Sequence, residues 1–229
     1  MKGLTTTLMT GVLAISPMLA LADEPASPHS VTGNLSFTSN YVFRGFSQTT
    51  DDPAIQGGFD YAHESGVYLG TWASNVSGDV YTGANMEWDV YAGYNGTIND
   101  DLSYNVGLLQ YYYPGGSEFN TSEAYAGATF KFLNVKYSHT LTDYFGVDDS
   151  KGSGYLEANA NFDLPQDFGL GLHVGHQKVK NSSDADYTDY KVSLSKELGG
   201  FDFSLAYTDT DYDSDASDEK FFLSVGKTF

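Results

Sequence analysis

From residue 31 to the last residue, apolar and polar side chains alternate in stretches of about ten, each closed by Gly, Asn, Asp, Ser or Pro. A period of two sends successive side chains to opposite faces of an extended chain, so each stretch predicts a two-faced strand. About twelve strands follow, near residues 31–46, 54–63, 66–75, 84–95, 102–112, 122–132, 135–143, 154–163, 168–176, 188–197, 201–208 and 220–229. Their connectors alternate between long and short. The long ones are SQTTDDPA, NVSGDVYTG, YPGGSEFN, DYFGVDDSKGSG, QKVKNSSDADYT and DTDYDSDASDE; the short ones are HESG, GTINDD, FLN, DLPQDF and ELGG. A soluble sandwich has no reason to sort its loops in this way. A membrane-crossing barrel does, with long loops outside and tight turns in the periplasm. The predicted fold is therefore an all-β, antiparallel up-and-down transmembrane β-barrel with both termini on the periplasmic side.

The alternation also assigns faces. In the first strand Leu35, Phe37, Tyr41 and Phe43 are expected to face lipid, and Asn34, Ser36, Thr38, Asn40 and Arg44 the lumen. A charge facing lipid costs about 2–4 kcal/mol at the midplane, which favours the register with Arg44 inside. The same reading turns Glu87, Asp89, Glu123, Lys131, Glu157 and Lys191 inward, together with Asp60, Lys136 and Asp202. GVYLGTWASN fits either way, because Tyr68 and Trp72 oppose Val67 and Leu69. His139 falls among the lipid-facing Val135, Tyr137 and Leu141, which requires a headgroup position or a bulge. The many tyrosines are expected chiefly in interfacial girdles.

Composition changes the picture at two points. MKGLTTTLMTGVLAISPMLALADE has Lys2, a short apolar stretch and an Ala20-Leu21-Ala22 box, which predicts a secretory signal peptide over 1–22. A short periplasmic segment, 23–30, then leads into a barrel over 31–229. Mass spectrometry of membrane-extracted protein is expected to find Asp23 at the N-terminus. Without Lys2 the chain carries 10 basic against 30 acidic side chains, which excludes electrostatic binding of nucleic acid. Cysteine is absent, so thiol catalysis and cysteine metal sites are excluded as well.

The final stretch, KFFLSVGKTF, puts Phe221, Leu223, Val225 and Phe229 on one face. It resembles the C-terminal signature by which assembly machinery recognises outer-membrane barrels, although Lys227 stands where an apolar residue is usual. A second likeness covers about residues 31–78. SNYVFRGFSQTTDDPAIQGGFDY, followed by GVYLGTWASNV, resembles the N-terminal block of the TorF-type porins, a proteobacterial family of exported proteins. The resemblance implies an outer-membrane barrel with a pore and brings no established substrate and no catalytic residues. It gathers Arg44, Gly45, Ser47, Gln48, Pro53 and Gly57–Gly58 around the first outer loop.

Arg44 is the only arginine in the chain. It is expected either to pair with Asp60 as a structural brace or to stand in a pore constriction. Asp209, Asp211, Asp213 and Asp215 alternate like calcium ligands, but Ala216 and Phe222 replace the glycine and glutamate an EF-hand loop needs. A solvated acidic loop is the expectation there, with loose divalent binding as the alternative. No Ser, His and acid form a recognisable hydrolase arrangement, and no cofactor is expected. The functional expectation is a narrow, weakly cation-selective channel for small hydrophilic solutes, in contact with outer-membrane lipid and the barrel-assembly machinery. A closed structural or adhesion barrel acting through its acidic loops is the alternative, and an outer-membrane hydrolase a weaker third.

Overall fold

The computed structural model describes residues 27–229. The expected signal peptide and half of the segment that follows it, residues 23–26, lie outside these residues. The described chain forms a closed barrel of twelve antiparallel strands. They are β1 (His29–Thr38), β4 (Ala54–His63), β5 (Val67–Asn75), β6 (Met86–Asn99), β7 (Leu102–Tyr112), β8 (Thr121–Phe130), β9 (Leu133–Thr140), β10 (Gly154–Leu164), β11 (Phe168–Lys178), β12 (Tyr187–Leu198), β13 (Phe201–Thr210) and β14 (Lys220–Thr228). Two further short strands, β2 (Val42–Phe43) and β3 (Phe46–Ser47), pair only with each other. Each barrel strand pairs with its neighbours in sequence, and β1 closes the ring against β14. Such closure leaves no strand edge unpaired, which a lipid-facing sheet requires.

Eleven of the twelve strands lie where the alternation predicts, with ends shifted by a few residues. The first does not. β1 stops at Thr38, and the chain then bends inward, so Tyr41 and Phe43 leave the lipid face expected for them. Leu35 and Phe37 do face outward, as do Val67 and Leu69, which settles the register of β5 with Tyr68 and Trp72 inside. His139 is exposed near the end of β9, beside Tyr137 at 3.4 Å, and the pairing of β9 continues past it without a bulge. The short connectors shrink to turns such as Gly199–Gly200 and Lys131–Phe132, and all lie at the end of the barrel that also holds the start of β1 and the end of β14.

The tyrosines divide otherwise than expected. Tyr94, Tyr104, Tyr112, Tyr137 and Tyr190 are exposed on the outer face, but Tyr41, Tyr68, Tyr81, Tyr91, Tyr111, Tyr113, Tyr155 and Tyr187 are buried inside. Room for inward-facing tyrosine rings comes from glycines directly across the ladder. Tyr91 lies over Gly70, Tyr68 over Gly93 and Tyr125 over Gly107.

Candidate functional site in the lumen

The segment between β1 and β4, residues 39–53, folds into the barrel. β2 and β3 pair through Val42–Ser47 and Phe43–Phe46, so Arg44 and Gly45 form a two-residue turn at the tip. Both take positive φ, +46° and +84°, as the preferred two-residue hairpin turn demands. A Cβ on residue 45 would come within 2.8 Å of the Asp189 Cβ, so glycine is needed for contact as well as for conformation. The base of the loop is tied by side chains. Asn40 donates to Asp51 at 2.7 Å and accepts from Ser47 Oγ at 2.7 Å, while Lys220 of β14 reaches Asp51 at 3.1 Å.

The tip carries Arg44 across the lumen to the wall opposite β1 and β4. Its guanidinium makes a two-pronged bond to Glu123 of β8, at 2.8 and 3.0 Å, and donates to Gln177 of β11 at 3.2 Å. It also lies over the rings of Tyr155 and Phe43, at 4.3 and 4.8 Å. The two-pronged contact with the Glu123 carboxylate gives the buried guanidinium an opposite charge in bonding geometry. The expected pairing with Asp60 does not form. Asp60 instead accepts from the Tyr91 hydroxyl, because the inward bend carries Arg44 away from β4 and onto the far wall.

Of the other residues read from sequence, Glu87, Asp89, Glu123, Lys136, Glu157 and Lys191 all lie on inward-facing strand positions. Lys136 pairs with Glu157 at 2.8 Å. Lys131 is the exception. Alternation ends before it, so it sits in the turn after β8, exposed and 3.5 Å from Asp101. The aspartates of the last long loop do not gather. Asp209 caps its own strand and Asp211 accepts from Thr188 N–H, and among the described residues no three carboxylate or imidazole groups stand where they could share a metal.

Sequence reasoning missed Gln177, Asp189, His173 and Lys220. Asp189 accepts from the Tyr155 hydroxyl and lies 2.9 Å from His173 Nε2, so a second polar network backs the Arg44 strut. Their inward phase on β11, β12 and β14 was readable; their partners, far apart in sequence, were not. The hairpin did leave a local signal. In VFRGFS a glycine-bearing pair, Arg-Gly, stands between two phenylalanines.

Aromatic rings complete the filling at the long-loop end. Phe43 meets Tyr111 and Phe145 edge-on at 5.8 and 5.9 Å, and Phe46 meets Tyr187 and Tyr212 at 4.8 and 5.5 Å. Tyr81 and Tyr113, from two other long loops, stack at 4.2 Å. Every one of the twelve strands contributes an inward residue near that end that is 9 % exposed or less, from Thr38 and Ala54 round to Thr208 and Lys220. Towards the short-turn end the lining is different: Asn95, Thr97 and Asn161 are exposed and Asn34, Asn105 and Asn134 half-buried.

A closed twelve-stranded barrel with an apolar outer belt and an ionised interior has the fold of outer-membrane porins. Two solved structures show the likeness. A KdgM porin aligns with a TM-score of 0.58 at 14% identity, over 86% of this chain and 98% of that one. A NanC porin aligns with a TM-score of 0.55 at 11% identity, over 87% and 98%. Another KdgM structure, with the same score and identity as the NanC one, is described as a complex with disordered oligogalacturonate. No curated protein sequence matches the chain. The chain belongs to the family described as "Bacterial protein of unknown function (Gcw_chp)", whose model matches residues 22–229.

Proposed function

We propose that the chain is a bacterial outer-membrane channel for small hydrophilic solutes, closed at its long-loop end by the inner loop. The observation that carries this reading is the nature of the closure. The wall is one continuous ladder, whereas the plug is a separate hairpin outside that ladder, held by Arg44 on Glu123 and Gln177 and by two backbone bonds to other long loops, Ser47 N–H to Ala216 C=O and Ser77 N–H to Gln48 C=O. Such contacts can be exchanged for water without breaking the barrel. Export through the signal peptide, passage to the assembly machinery and the TorF-type resemblance belong to the same proposal. The solved structures of like fold are porins, and we assign no enzymatic role.

The inward charge also supports a weak preference for cations. Asp60, Glu87, Asp89, Glu123, Glu157, Asp189 and Asp202 face the lumen, against Arg44, Lys136, Lys191 and Lys220. The sealed ring at the long-loop end favours a second reading, a closed structural or adhesion barrel. Single-channel recording on refolded protein separates the two. Removal of residues 42–47 is expected to turn rare, small openings into a steady conductance. A variant that refolds yet stays silent would establish the closed barrel.

A further inference from the structure

Glu87 and Asp89 stand two residues apart on the inner face of β6, and neither meets a cation. Among the described residues the lysine and arginine ion pairs go to Glu123, Asp101, Glu157 and Asp51. Glu87 is 1 % exposed and accepts from the Tyr41 hydroxyl, at 3.2 Å to each oxygen. Asp89 is 7 % exposed, and its buried Oδ1 has no hydrogen-bond partner at all. Buried polar atoms almost always have a partner, so an orphaned carboxylate oxygen calls for a water, an ion or a ligand beside it.

The surroundings say which kind. Trp72 of β5 and Tyr111 of β7 are the cross-strand partners of Asp89. Tyr91 follows it on the same face, and the Tyr41 ring packs edge-on against Trp72 at 5.4 Å. Aromatic faces are electron-rich and attract weakly hydrated cations. A calcium or magnesium ion would need about six oxygen ligands, and no three acidic or imidazole groups among the described residues could share a metal.

We propose that this cage binds a primary ammonium group, the head of a small amine, with Asp89 as its anionic partner and Glu87 beside it. The site goes beyond the channel reading, because binding at Asp89 requires neither conduction nor an open hairpin. The chain has two tryptophans, and Trp88→Phe on the lipid face leaves Trp72 as the reporter. The full chain carrying that change, refolded in detergent, is titrated with methylammonium chloride at an ionic strength held constant with sodium chloride.

A saturable change in Trp72 emission is expected. Asp89→Asn should weaken it at least tenfold, while Asp213→Asn, in the last long loop, should leave it unchanged. A response that never saturates, or one equal in Asp89→Asn, would overturn the site, as it would if the two carboxyl groups merely shared a proton. Thermal unfolding covers the case in which Asp89→Asn does not refold. Methylammonium should then raise the Tm of the Trp88→Phe protein more than sodium does at equal strength, and coincident melting curves would refute the proposal. Conductance plays no part in either measurement, so failure here leaves the channel reading untouched.

Discussion

Arg44 is a buried charge with a single charged partner. Its side chain is 6 % and that of Glu123 2 % exposed, so water cannot replace either one if the other is lost. Breaking such a pair by removing one member costs about 3–5 kcal/mol, whereas removing both often costs little. Arg44→Ala and Glu123→Gln are each expected to lower the stability of the refolded barrel by that order. The double variant should lose clearly less than the sum, with a coupling of about 1–3 kcal/mol. Denaturant unfolding in detergent measures all three. Additive losses would mean that the guanidinium owes its place to the Tyr155 and Phe43 rings instead. Arg44→Lys does not rescue the pair in this account, since an ammonium cannot make the two-pronged contact.

At the scale of elements, the seam between β1 and β14 depends on the last residue. Phe229 N–H donates to Gly33 C=O at 2.9 Å, and Gly33 N–H donates to Phe229 C=O at 2.7 Å. Its ring also lies against the Gly33 position, where a Cβ would approach it to 2.8 Å, with Phe59 on the other side. Deleting Phe229 removes both backbone bonds and this aromatic cover. Insertion into lipid is therefore expected to slow several-fold, as followed by the gel shift of folded barrel, with interior residues untouched. Unchanged insertion would make the C-terminal likeness accidental. Strand boundaries of this kind were legible because each strand carries its own alternation and its own turn residues. The inner loop was not legible by that rule. Tyr41 and Phe43 continue the two-residue period of β1, since β2 is itself extended, and periodicity cannot register a bend into the lumen. The partner of Arg44 was out of reach for a different reason: 79 residues separate it from Glu123, and only closure of the ring sets them face to face.

For the molecule as a whole, the sorting of loops and the sorting of charge predict separate things. Tags placed at Gly115–Gly116 or Asp213 should be reachable on intact cells, and one at Gly199–Gly200 should not, because the first two lie in long loops and the last in a tight turn. The reverse labelling pattern would invert the barrel. Charge bears on what passes once the hairpin is displaced. Asp60, Glu87, Asp89, Glu157, Asp189 and Asp202 then face Lys136, Lys191 and Lys220 along the path, and the loss of Arg44 frees Glu123 as well. The excess of carboxylates should concentrate cations in a narrow, low-dielectric passage. Salt blunts the effect over a Debye length of about 8 Å at physiological strength, so the preference should be weak there and grow on dilution. Under a potassium chloride gradient, the variant lacking residues 42–47 is thus expected to show a cation-selective reversal potential that increases as both solutions are diluted. Glu123→Gln in that background should reduce it, since Glu123 no longer has its arginine. An anion-selective pore, or a selectivity indifferent to Glu123, would show that the acidic lining does not govern permeation.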